Sequence, residues 1–368
     1  MSRNTMSNGV RKLKIAQIAP MWVSVPPAKY GGTELVISSL TEELVARGHN
    51  VTLFASGDSK TRAKLVSIYP RALLRDEIPW KEISYDMMNV AMAFERADEF
   101  DIIHSHIDLY DQFFIPLIKT PVVSTMHNNM HAKRKTSGRI FTYRHYKKHN
   151  FVSISLMQRK NSMVNLNFVG NAYNGLDPKK YKFNSDPDDK FIWIARIDEV
   201  KGVLNAVLAA EKMGARLDIA GRIDIAKLDF FNTQIKPRLN KNIRYVGEIN
   251  QKQKLEFFSN AKALLYPIEW EEPFGLVMIE AMACGTPVIA FDRGSVREVV
   301  SEGKSGFIVK SPGKNKKANI DGLVAAMKKI DQIDRKDCYR YFLDNFTASK
   351  MADVYEKIYE KILSKKKS

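Results

Sequence analysis

The chain has 368 residues, 45% of them apolar, with a formal charge of +17, enough length and apolar content for two cored domains. Its two cysteines, Cys284 and Cys338, exclude a disulfide framework and a Cys-x-x-Cys zinc spacing and point to a reducing compartment. No apolar run approaches membrane-spanning length and no leader-type apolar core follows Met1–Val10, so the expectation is a soluble, cytoplasmic protein.

The first apolar run, Leu13–Ala19, reads as a buried parallel strand. A long loop with Pro26-Pro27 leads to Tyr30-Gly31-Gly32-Thr33-Glu34, which opens an amphipathic helix to about Arg47; Val51–Ala55 is the next strand, completing a βαβ unit. These glycines do not fit the Gly-x-Gly-x-x-Gly dinucleotide pattern. Gly31 and Gly32 serve equally as a tight turn or as a place where a phosphate or sugar approaches the backbone. Tyr85–Arg96 reads as a helix and Phe100–His106 as a strand. His104 and His106 share one face of that strand, but no third metal ligand stands at a usual spacing, so no metal site is expected. Pro121–Thr125 is a further strand, and His127 follows at its C-terminal end, where open α/β sheets bind ligands. Phe151–Ser155 is another strand, followed by a basic helix.

From Gln112 to Leu176 there is no Asp or Glu, while Lys133, Arg134, Lys135, Arg139, Arg144, Lys147, Lys148, Arg159 and Lys160 all fall there. A second basic cluster, Lys361 and Lys365–Lys367, ends the chain. Such a surface is either solvated or meets an anionic membrane, an acidic acceptor or nucleic acid.

The pattern breaks at Asn174-Gly175-Leu176-Asp177-Pro178 and the polar stretch 184–190, read as a linker between a first domain over 11–175 and a second over 176–346. The second half restarts the alternation with strands at Phe191–Ala195, Arg216–Ala220, Ile243–Val246, Ala263–Tyr266, Pro287–Phe291 and Phe307–Val309. Repeated βα units predict a second doubly wound parallel sheet. Arg196 and Lys201 flank the first strand-to-helix loop of this half, where two cations suit a diphosphate. At the end of the chain, Asp337–Leu343 and Met351–Leu363 carry apolar residues at helical spacing.

The densest chemistry lies in Glu271–Pro287. A helix is expected from about Gly275 to Gly285, with Glu272 just outside its start and Glu280 inside it. The amides of Phe274, Gly275, Leu276 and Val277 head this helix, so its dipole and unsatisfied N–H groups suit a phosphate. Either glutamate alone reads as an ordinary solvated charge near a helix start. Two acids bracketing a Phe-Gly-Leu turn form a more demanding pattern.

This pattern resembles the Glu-x7-Glu signature of the retaining nucleotide-sugar glycosyltransferases of family 4. Tyr30-Gly31-Gly32, Met126-His127, Asn174-Gly175-Leu176-Asp177 and the Arg196-x4-Lys201 pair are similar in order and separation, over nearly the whole chain. The resemblance implies a GT-B fold: two Rossmann-like doubly wound domains facing a cleft, with the C-terminal helix, about 347–368, packing back on the first. It implies transfer of a hexose-type sugar from a UDP- or GDP-linked donor to an acceptor hydroxyl, with retention and without a metal or other cofactor. Implied donor-site residues are Glu272 and His127 at the sugar, Glu280 at the ribose, and Arg196, Lys201, Gly31, Gly32 and the amides of Phe274–Val277 at the diphosphate. Expected partners are the nucleotide sugar and a sugar, glycolipid or other hydroxyl acceptor of the cell envelope. The basic segment adds contact with an anionic inner membrane face. The rival readings are a nucleotide-sugar epimerase of the same fold and a basic nucleic-acid-binding protein. The second leaves the Glu272–Glu280 turn unexplained, so no nucleic acid is expected.

Overall fold

A computed structural model describes residues 11–29, 31–130, 137–310 and 316–365. Tyr30 and the basic residues Lys133, Arg134, Lys135, Lys366 and Lys367 lie outside this set.

Among the described residues two parallel sheets account for the strands. The first contains β1 (Lys14–Ile18), β2 (Asn50–Phe54), β3 (Lys64–Val66), β4 (Ile102–Ser105), β5 (Val122–Met126), β6 (Asn150–Ser153) and β7 (Phe168–Asn171), in the order β3-β2-β1-β4-β5-β6-β7. The second contains β8 (Phe191–Ile194), β9 (Leu217–Ala220), β10 (Ile243–Gly247), β11 (Ala263–Tyr266), β12 (Val288–Phe291) and β13 (Gly306–Val309), in the order β10-β9-β8-β11-β12-β13. Central strands such as β8 (Phe-Ile-Trp-Ile) are buried at every position, as expected of a parallel sheet covered on both faces. This is the two-domain parallel α/β architecture expected from the sequence.

The order reverses between β1 and β4 in the first sheet and between β8 and β11 in the second. At such a switch point the loops leaving adjacent strands diverge and open a crevice. The two crevices hold the residues discussed below.

The last helix, Ala348–Ser364, follows the second domain in sequence but packs on the first. Met351, Ala352, Tyr355, Ile358, Tyr359 and Ile362 share a core with Leu13, Ile15, Val51 and Val123. The crossing is anchored where Leu176, near the start of the linker, pairs with Thr347. Conversely Leu35, on the first-domain helix Gly32–Ala46, belongs to the core of the second sheet. Apolar packing therefore runs across the cleft. No helix among the described residues is long and apolar enough to cross a membrane.

Candidate active site in the interdomain cleft

The loops after β8 and β11 supply most of one cleft wall. Lys201 follows β8, while Tyr266 ends β11 and Glu272 follows it, and all three line the cleft; Trp270 lies between the last two. Glu272 Oε2 accepts hydrogen bonds from Lys201 Nζ (2.8 Å), Trp270 Nε1 (2.8 Å) and Tyr266 Oη (3.0 Å). The Lys201 ammonium also sits 4.3 Å from the centre of the Trp270 ring. A long lysine and a carboxylate are thus held in one geometry by a cation–π contact and neutral donors, which lowers the side-chain entropy lost on binding a ligand.

Next comes Gly275, with φ of 80°, at the start of the helix Leu276–Met282. The left-handed backbone there turns the chain so that Gly275, Leu276 and Val277 line the cleft. One turn along, Glu280 is buried. Its Oε1 accepts from Lys254 Nζ at 2.7 Å and from Tyr181 Oη at 3.3 Å, while Oε2 is buried without a hydrogen-bond partner. Burial, followed by the Glu280 charge, pushes the Tyr181 hydroxyl well above its ordinary range, so it stays a donor. A buried carboxylate oxygen with no donor is costly, and a ligand hydroxyl reaching it would remove that cost.

The polar end of the cleft is cationic. Arg196 lies 3.5 Å from Asp224 and 3.8 Å from Asp198, and Arg222 pairs with Asp224 at 2.7 Å. The Arg196 side chain remains 43% exposed, so its pairs are weak and its N–H groups can turn to a ligand. Gly31 and Gly32 form the opposite wall. A Cβ built on Gly32 would lie 3.9 Å from Leu276 Cδ2, and one on Gly31 only 2.7 Å from Pro27 Cβ. The two walls also meet through Lys29 and Glu248 (3.4 Å) and through Gln251 Nε2, which donates to the Lys29 carbonyl at 3.3 Å.

The cleft thus carries the carboxylates of Glu272 and Glu280 and a cationic end, on a two-domain parallel fold. Residues 30–163 match the family model Glycosyltransferase Family 4, and residues 176–341 match that of glycosyl transferases group 1. The chain belongs to the family 4, group 1 glycosyltransferases. It is a GT-B enzyme of the hexosyltransferase type. Over 360 residues it is 25% identical to the glycogen synthase of Mycobacterium tuberculosis, covering 83% of each chain. Over 339 residues it is 24% identical to that organism's phosphatidyl-myo-inositol mannosyltransferase, covering 86% of this chain and 88% of the relative. In fold it is similar to the Anabaena protein HepE, solved in complex with UDP and glucose, with a TM-score of 0.70 at 17% identity over 96% of this chain and all of that one.

In this glycosyltransferase most of the residues singled out from sequence converge. Gly31, Gly32, Arg196, Lys201, Glu272, Gly275, Leu276, Val277 and Glu280 all line one cleft. Phe274 does not. Its ring is buried against Tyr173 and Phe346, at 6.2 and 6.0 Å between centroids, because an aromatic ring gains more in the core than at a polar rim. His127 is not among the lining residues either. It is half-buried and bonded through Nε2 to His106 Nδ1 at 2.8 Å. Its loop still reaches the second domain, where Asn129 Nδ2 donates to the carbonyl of Glu271, next to Glu272. His104 and His106 are engaged in side-chain hydrogen bonds within the first domain.

Sequence reasoning missed Arg222, Lys254, Tyr266 and Trp270. Arg222 and Lys254 are single residues on separate segments, and Tyr266 and Trp270 lie just before the Glu271–Pro287 stretch, all without a local pattern. The available signal was position alone: Tyr266 ends β11 and Arg222 comes two residues after β9, at the strand ends where open sheets bind ligands.

Proposed function

We propose that the chain moves a hexose from a UDP- or GDP-linked donor to an acceptor hydroxyl with retention of anomeric configuration. The observation that carries this reading is the Lys201–Glu272 pair set between a cationic end and a buried, unsatisfied Glu280 oxygen in one cleft. In this reading Glu280 takes ribose hydroxyls and Glu272 takes sugar hydroxyls. Arg196, Arg222, Lys201 and the amides of Leu276 and Val277 receive the diphosphate. Cleaving the bond between the anomeric carbon and the phosphate oxygen builds charge on that oxygen, and these preorganised donors stabilise it. The acceptor hydroxyl attacks from the same face, and its proton passes to the departing phosphate oxygen. With the charge met by side chains and amides, no metal or other cofactor is required, and EDTA is expected to leave the rate unchanged.

The acceptor side of the reading is an envelope glycolipid or polysaccharide reached at the inner membrane face. Phe113, Leu117 and Phe141 are exposed, Leu117 at 76% and Phe141 at 72%. Phe113 meets Tyr146 at 5.8 Å, beside exposed Arg144, Lys147 and Lys148. Exposed apolar side chains together with exposed cations suit an anionic bilayer, each cation adding about 1 kcal/mol there. Co-sedimentation with vesicles containing anionic lipid, lost at high salt and absent with neutral vesicles, tests this part. For the donor, a thermal-shift series with UDP-, GDP- and ADP-sugars is expected to give one clearly stabilising nucleotide, and the product's anomeric configuration reports retention.

A further inference from the structure

Behind His127 lies a buried side-chain chain that the cleft chemistry does not use. His106 Nδ1 faces His127 Nε2 at 2.8 Å, and His106 Nε2 faces Gln17 Oε1 at 2.8 Å. Gln17 Nε2 is 3.4 Å from Tyr359 Oη, which in turn lies 2.7 Å from His104 Nδ1. His104 Nε2 meets Thr125 Oγ1 at 2.7 Å, and Thr125 meets Tyr355 Oη at 2.9 Å. Gln17, His104, His106, Thr125, Tyr355 and Tyr359 are each at most 2% exposed. The first four sit on or directly after the central strands β1, β4 and β5. The two tyrosines stand four residues apart on the last helix and so present one face to them.

We propose that this chain, rooted in the last helix, makes His106 a positioning residue that fixes His127 in the tautomer with its proton on Nε2 and an acceptor at Nδ1.

The assignment follows from donor and acceptor identities. Gln17 Oε1 can only accept, so His106 Nε2 carries a proton and donates. A neutral ring with its proton on Nε2 has a lone pair on Nδ1, so His127 must donate from its own Nε2. A neutral His127 is left with a lone pair at Nδ1, which makes no bond to the described residues and can accept from a ligand hydroxyl. On the other side the Gln17 amide donates to Tyr359, Tyr359 donates to His104 Nδ1, and His104 Nε2 donates to Thr125. Every bond is then satisfied with all rings neutral. Burial keeps them so: it pushes His104 down to about 3 and His127 to about 4, and holds His106 well below the usual histidine range, with neighbouring rings adding to the effect on His104 and His106. A charged His106 would donate from both nitrogens and force His127 into the opposite tautomer, with its proton on Nδ1. The link to the last helix matters because Tyr359 orients the Gln17 amide, and that orientation decides which His106 nitrogen holds the proton.

The inference goes beyond the proposed function. It rests on that reading only where His127 is taken to touch the donor sugar. The test is nitrogen-15 NMR of the full chain labelled at histidine, at neutral pH, with His127 assigned by His127→Gln. Wild type is expected to show His127 as a single neutral tautomer protonated at Nε2. His106→Leu is expected to give a mixture of tautomers and to lower kcat by on the order of tenfold or more, with less change in donor KM. His106→Asn keeps an acceptor near the Nδ1 position and is expected to restore both the tautomer and kcat. Should His106→Leu fail to fold, Tyr359→Phe, which removes only the phenol oxygen, is expected to give a partial mixture. A mixture or the Nδ1-protonated form in wild type would overturn the proposal. So would an unchanged tautomer in both His106→Leu and Tyr359→Phe. If His127→Ala transfers sugar normally while wild type shows the single Nε2 tautomer, the donor-sugar reading fails and the positioning chain stands.

Discussion

Lys201 and Glu272, 71 residues apart in sequence, form one ion pair at 2.8 Å on the floor of the cleft, with Trp270 and Tyr266 donating to the same carboxylate oxygen. Neither residue is an independent binding group. Removing Lys201 leaves Glu272 with two neutral donors in a half-buried site, and removing Glu272 leaves a lysine with only an aromatic ring to face. Glu272→Ala and Lys201→Ala are each expected to lower kcat by on the order of 10²–10³-fold with the circular-dichroism spectrum and cooperative melt retained. The double variant is expected to cost much less than the product of the two, because the pair acts as a unit.

Glu280 is expected to behave differently, because the role proposed for it is binding the ribose. One oxygen is held by Lys254 and Tyr181 while the other is buried and unsatisfied. Glu280→Ala is expected to weaken nucleoside-diphosphate affinity about 10- to 100-fold by calorimetry, the range of one or two hydrogen bonds to a charged group. Its kcat at saturating donor is expected to fall far less.

Gly275 is constrained by its backbone, with φ of 80°, and by space. An added Cβ would lie 2.6 Å from Met278 Cε and 3.1 Å from the Tyr266 hydroxyl that holds Glu272. The Met278 tip can move; the tyrosine cannot without loosening Glu272. Gly275→Ala is expected to destabilise by roughly 1–3 kcal/mol in a denaturant titration and to lower kcat as well.

Much of this site was open to sequence reasoning, for a physical reason. Strand ends and helix starts are local features, so Arg196, Lys201, Glu272, Gly275 and Glu280 could be placed at a crevice from βα alternation and a short motif. Pairings between distant segments are not local. Nothing near Lys254 announces its contact with Glu280, and nothing near Tyr359 announces Gln17. The edge strands β3 and β7, three and four residues long, escaped because they lack a sustained apolar run. Phe274 was assigned to the ligand through its backbone amide; its ring packs in the core, and it is not among the residues that line the cleft.

A pH prediction comes from Glu34 at the start of the helix Gly32–Ala46. Burial, with Asp86 nearby, raises its carboxyl from the usual range to about 7. A raised folded-state value means the unfolded chain ionises first. The stabilisation is therefore full below the unfolded value, near 4.5, and is lost as pH rises through about 7. Glu34→Gln is expected to melt close to wild type at acid pH and above it at pH ~8, by on the order of 3 kcal/mol.

In the proposed reaction one cleft binds a nucleoside-diphosphate sugar and cleaves it through the Lys201–Glu272 arrangement. The most direct measurement is nucleoside-diphosphate release from UDP-, GDP- and ADP-linked hexoses by wild type, Lys201→Ala and Glu272→Ala, with a glycolipid or sugar acceptor present. Wild type is expected to release nucleoside diphosphate from one donor, insensitive to EDTA, with release reduced at least about a hundredfold in both variants. Near-wild-type release by both variants would contradict it.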